Sequence, residues 1–105
     1  MSFSLSDSLL DGFVLAVLEQ KDTYAYELDQ KLKESAAISE TTLYPVLKRL
    51  QKEGYVHCYE KTEDGRNRRY YNITDDGRQK LGHTKEEWIK FRVIVDQFLG
   101  GETNG

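Results

Sequence analysis

The chain has 105 residues, 38% apolar and 31% charged, with seven Tyr, four Phe and one Trp. This balance suits one small globular domain rather than two, and the aromatic and aliphatic content argues against a disordered chain. No apolar run reaches the roughly 18 residues of a membrane span, and Met1-Ser2-Phe3-Ser4 lacks the basic start of a secretory leader, so a cytoplasmic protein with no membrane partner is expected. The lone Cys58 excludes an internal disulfide, His57 and His83 have no metal-ligand spacing, and no catalytic constellation stands out; neither metal, cofactor nor enzymatic activity is expected.

In chain order, Leu9, Leu10, Phe13, Val14, Val17 and Leu18 recur at helical spacing, while Leu15 and Ala16 fill much of the remaining circumference. This predicts a first helix buried on more than one side. Asp22 or Thr23 is placed to cap a second, short amphipathic helix over 24–34, with Leu28 and Lys31/Leu32 on its inward turn. Ser39 opens a third helix that ends before Gly54, a residue suited to the left-handed C-terminal position. Its Leu43, Val46, Leu47 and Leu50 form one stripe. Thr41, Pro45, Lys48 and Lys52 point the opposite way, flanked by Tyr44 and Arg49. Pro45 gives up a hydrogen bond and crowds the carbonyl four residues back, so either the first turn is distorted or the regular helix begins near Thr41.

Segments 55–61 and 68–73, rich in Tyr, Val and Ile, read as two strands, with Asp64-Gly65 marking the hairpin between them. Thr74 then caps a long helix carrying Asp75 and Asp76 in its first turn and running to Leu99. The order predicts a mainly α protein with a small β-hairpin: a winged helix-turn-helix over 1–74, a C-terminal dimerisation helix over 75–99 and a flexible tail over 100–105.

Charge distribution agrees with this layout. Residues 48–69 hold seven basic and four acidic side chains although the whole chain is at −3, so a basic island sits on an acidic remainder, the footprint of a molecule that meets phosphates in one orientation. With the third helix in a major groove, Thr41, Thr42 and Tyr44 lie toward base edges and Lys48 and Lys52 toward phosphates, with Ser39 and Pro45 also counted on the DNA-binding face. Arg66, Asn67, Arg68 and Arg69 on the wing enter or clamp the adjacent minor groove. Tyr24 and Tyr26, opening the second helix, either approach the DNA backbone or pack, whereas packing is expected for Tyr55, Tyr70 and Tyr71.

The last helix carries a second signal. Leu81, Trp88 and Val95 repeat every seven residues, with Thr84, Phe91 and Phe98 between them, and Ile89, Val93 and Ile94 lie off that stripe. A homodimer is expected. Leu9, Phe13, Leu81, Trp88, Phe91, Val95 and Phe98 are the candidates for its interface or for a pocket in which Trp88 stacks a flat aromatic ligand.

Tyr24-Ala25-Tyr26-Glu27-Leu28, Thr42-Leu43-Tyr44-Pro45-Val46-Leu47-Lys48-Arg49-Leu50, Glu53-Gly54-Tyr55-Val56 and Arg69-Tyr70-Tyr71-Asn72-Ile73-Thr74-Asp75-Asp76-Gly77 together closely resemble PadR-family transcriptional regulators, over about residues 9 to 99. The single C-terminal helix is similar to the smaller subclass of that family. Ala25 and Thr41 stand where the family often has Gly. The resemblance implies a dimeric repressor that binds a palindromic operator on double-stranded DNA and, in some relatives, leaves it on binding phenolic acids, drugs or other aromatics. A winged-helix module that binds a ligand or a protein without an operator is the competing reading.

Overall fold

The computed structural model describes residues 7–100; the first six residues and positions 101–105 of the expected tail lie outside the described residues. The elements are α1 (Asp7–Gln20), β1 (Thr23–Tyr24), α2 (Ala25–Ala36), α3 (Glu40–Lys52), β2 (Val56–Glu63), β3 (Arg66–Ile73) and α4 (Asp75–Val95), closed by a π-helical turn, Asp96–Gly100. The strands form one antiparallel sheet in the order β1-β3-β2.

α1 is the central post. Val14 and Leu15 are both fully buried, so it packs on more than one side, as its apolar circumference requires. Around it close Leu28 and Leu32 of α2, Leu43, Leu47 and Leu50 of α3, Val56, Tyr71 and Ile73 of the sheet, and Leu81 of α4. A Schellman-type closure ends α2, with Ala37 in the left-handed region (φ 55°) and Ile38 N–H donating to the Leu32 carbonyl.

Two expectations are corrected here. Neither Asp22 nor Thr23 caps α2: Tyr24 holds the N-cap position without a side-chain hydrogen bond, and Thr23, buried, is instead a strand residue opposite Tyr71. β1 has only two residues, too few to show a period of two, so nothing in the pattern announces it. The long helix, expected to reach Leu99, ends at Val95 and widens into the π-helical turn.

The junction from wing to α4 is tightly specified. Thr74 Oγ1 accepts from the Gly77 amide (3.0 Å) and donates to the Gly54 carbonyl (2.7 Å), while the Thr74 amide donates to the Tyr55 carbonyl (3.1 Å). A Cβ on Gly77 would lie 2.2 Å from that same Tyr55 oxygen, so only glycine lets α4 start this close to the end of α3. From there α4 leaves the head: the radius of gyration is 16.0 Å, against about 13 Å for a compact chain of this length.

Candidate nucleic-acid interface

α3 presents its two faces as the spacing predicts. Leu43, Val46, Leu47 and Leu50 are buried, whereas Thr41, Thr42, Tyr44, Pro45, Lys48 and Lys52 are exposed, Tyr44 at 59%. Ser39 is the N-cap: its Oγ accepts from the Thr42 amide and lies 3.0 and 3.1 Å from the Thr41 and Thr42 hydroxyls, so three hydroxyls cluster at the tip of the helix. The regular helix begins at Glu40 and runs through Pro45, so the second of the two alternatives for Pro45 holds to within one residue. Arg49 does not join the basic face. Its Nη1 and Nη2 donate to Asp11 of α1 at 3.1 and 2.5 Å, and Asp11 is 3% exposed.

In the wing, the six residues left between the expected strands shrink to a two-residue turn. Asp64 and Gly65 both have positive φ (51° and 75°), which matches the right-handed twist of the strands and lets them pair out to Glu63 and Arg66. β1 covers β3 only at Tyr70 and Tyr71, so the outer half of β3 has an open edge. That edge and the start of α2 enclose a shallow cleft lined by Tyr24, Tyr26, Arg66, Asn67, Arg68 and Arg69. Arg66, Asn67 and Arg69 are exposed, as is Tyr26 (64%). Arg68 is half-buried, its guanidinium 4.6 Å from the centre of the Tyr24 ring. Asn67 accepts from the Thr62 hydroxyl at 2.8 Å. The side-chain hydrogen bond with Tyr71 holds the Arg69 guanidinium above its ordinary pKa, with Tyr71, Cys58 and the Tyr44 hydroxyl adding to it.

Tyrosines brace the sheet. Tyr24, Tyr70 and Tyr59 are cross-strand partners with ring centres 5.7 and 5.6 Å apart, and Tyr26 and His57 extend the row at each end. Packing of Tyr70 and Tyr71 is as expected, Tyr71 being 3% exposed. The Tyr70 hydroxyl donates to Glu63 (2.6 Å), which pushes its pKa up to about 12; a like bond to Asp22 (2.7 Å) raises that of Tyr59. Because the folded-state pKa of Tyr70 exceeds its unfolded value near 10, the bond's contribution is complete below about pH 10 and is lost as pH climbs toward 12. An alkaline titration followed at 295 nm should therefore show a late-ionising tyrosine that moves to lower pH in Glu63→Gln. An unchanged curve in that variant contradicts the assignment.

Along α4 the candidate interface residues separate. Leu81 is corrected: at 2% exposure it belongs to the core of its own head. Phe13 is half-buried against that core, and Leu9 and Val95 are also half-buried. Beyond them Trp88, Phe91 and Phe98 are exposed at 41, 56 and 80%, as are Ile89, Val93, Ile94 and Leu99. A cleft of about 1020 Å³ runs between the start of α1, the base of the wing and α4, with Leu9, Tyr55, Lys80, Thr84, Trp88 and Phe91 among its walls. It takes in three of the seven predicted residues; Phe13, Leu81, Val95 and Phe98 are not among its walls. Sequence reasoning missed the Asp11–Arg49 pair and the tyrosine row. The signal for the first was a carboxylate in the middle of an apolar helical run, which demands a cationic partner.

The sequence model of the transcriptional regulator PadR-like family matches residues 14–83, which include α2, α3, the wing and the start of α4. The chain belongs to the PadR family. Solved structures agree with this membership across nearly the whole chain. A protein of Streptococcus mutans UA159 is 35% identical and superposes with a TM-score of 0.85, covering 100% of this chain and 99% of that one. A PadR-like transcriptional regulator of Bacillus cereus is 36% identical with a TM-score of 0.81, over 90 and 94% of the two chains. A PadR family transcription regulator of Clostridium difficile is 32% identical with a TM-score of 0.76, over 86 and 97%. This PadR protein is thus a DNA-binding transcriptional regulator of mainly helical, winged-helix fold, in a family of regulators rather than enzymes. Among its described residues no helix is long and apolar enough to cross a membrane.

Proposed function

We propose that this PadR protein is a homodimeric repressor that grips a pseudo-palindromic operator with two copies of α3 and two wings, and releases it when a small aromatic ligand enters the cleft beside Trp88. The observation that carries the reading is the joint exposure of Thr41, Thr42, Tyr44, Lys48 and Lys52 on α3 with Arg66 and Arg69 on the wing. No internal packing demand accounts for that display.

In this reading the hydroxyls at the tip of α3 and the Tyr44 ring meet base edges in the major groove, Lys48 and Lys52 meet phosphates, and Arg66 and Arg69 reach the neighbouring minor groove or its rim. Tyr26 meets the DNA backbone at the start of α2. Arg68, laid on Tyr24, steadies the wing. Dimerisation follows from α4: Trp88, Phe91, Val95 and Phe98 contribute at most about 1.5–3 kcal/mol each when covered, so that the two copies together match the scale of an association cost of about 4–15 kcal/mol.

Gel shift on the DNA upstream of the protein's own coding region tests this. A saturable, salt-sensitive, sequence-selective shift is expected, and its absence favours a module that binds a protein or a ligand instead. Arg66→Ala combined with Arg69→Ala should weaken binding broadly and flatten the plot of log K against log salt by roughly 1.8 per protomer, about 0.9 for each lost phosphate contact. An unchanged slope removes both arginines from the interface.

A further inference from the structure

Asp11, on the buried side of α1, touches two elements that serve different tasks. Both its oxygens take the Arg49 guanidinium of α3, and its Oδ2 also lies 3.9 Å from the Lys80 ammonium of α4. Arg49 in turn stands 3.5 Å from Glu53 at the end of α3, and Lys80 lies 5.0 Å from the centre of the Tyr55 ring. Two cations and two carboxylates thus form a neutral chain running from the DNA-facing helix through α1 to the projecting helix. An apolar contact at this place would bury as much surface, but it would tolerate sliding. A bidentate pair between a planar guanidinium and a buried carboxylate fixes distance and angle together.

We infer that Asp11 is a positioning residue for DNA recognition: with Arg49 and Lys80 it sets the angle between α3 and α4, and so the separation of the two α3 helices in the paired molecule. This rests on the dimeric reading above. If α4 joins the copies and α3 enters the groove, any rotation at this joint is carried to both heads and alters the half-site spacing the dimer accepts. The joint also reaches the aromatic cleft, because Glu53 and Lys80 are among its walls. A molecule lodged there touches both ends of the charged chain without touching DNA.

The test uses the full-length protein and duplexes selected by it from a random pool, with the two half-sites then moved apart or together one base pair at a time. Wild type is expected to show a sharp optimum. Arg49→Lys, which keeps the charge and loses the fork, and Lys80→Met are expected to bind a single half-site within about twofold of wild type. The advantage of the best spacing over its neighbours should fall at least tenfold in each. A folded variant with the wild-type spacing profile overturns the inference, as does a variant whose single-half-site affinity collapses, since the residues then serve the head alone. A wild-type dimer indifferent to spacing also overturns the inference, whereas light scattering that shows the wild type as a monomer refutes the dimeric reading itself, and the two outcomes are told apart before any variant is made.

Discussion

Phe91→Glu should convert the protein to a monomer at micromolar concentration while leaving its far-UV circular dichroism close to wild type. Phe91 is 56% exposed within one chain and 6.2 Å, ring centre to ring centre, from Trp88, so the head does not depend on it. In a dimer seam the new carboxylate would face apolar side chains of the second copy and lose its hydration without a partner. The consequence for DNA is larger than for the fold. Two linked heads bind two half-sites with an avidity about 10²–10⁴ above that of one head, and this factor is what the variant forfeits. Light scattering checks the mass and a gel shift on one and two half-sites checks the loss. A stable dimer of Phe91→Glu places the interface elsewhere.

Gly77→Ala should cost far more stability than the same change at Gly82 on the same helix. The added methyl would stand 2.2 Å from the Tyr55 carbonyl oxygen and 2.7 Å from Ile73 Cγ1, and the first of these is backbone already engaged by the Thr74 amide. Overpacking in a core costs about 1–3 kcal/mol when side chains can yield. Here the strand or the helix must move, and a loss of about 3 kcal/mol or more is expected. At about 4–8 °C per kcal/mol for a domain of this size, the melting temperature falls by at least ~12 °C. Gly82→Ala, five residues further along the same helix with nothing within 4 Å of its would-be Cβ, is the control. It should hold or raise stability by up to about 1 kcal/mol through helix propensity. Equal melting of the two variants would refute the tight junction.

Much of this architecture was legible from local chemistry. Ser39 before an i, i+3, i+4 leucine stripe, Gly54 after it, and Asp64-Gly65 between two tyrosine-rich runs each mark a helix end or a turn through backbone geometry and stand where the structure has them, although the strands run two residues further toward the turn on each side than expected. What escaped is set by distance or brevity. The Asp11–Arg49 pair joins positions 38 residues apart, and no periodicity reports which charge on one helix answers a charge on another. β1 is recognisable only by its register with β3. Leu81 fits the heptad as well as Trp88 does, because spacing along a helix says which residues share a face and not whose core that face enters. The same limit kept the candidate cleft from being drawn correctly: Tyr55 and Lys80 line it through the fold, not through proximity in sequence.

The two-residue length of β1 has a consequence beyond shaping a cleft. A strand flank left without a neighbour is a template on which a foreign strand can grow, and soluble proteins protect such flanks with charge. Here the guard is the run Arg66, Arg68 and Arg69, whose like charges repel the equivalent flank of another copy. The cations proposed to attract DNA therefore also discourage self-templated aggregation, and removing them for any purpose exposes the hairpin to both losses at once.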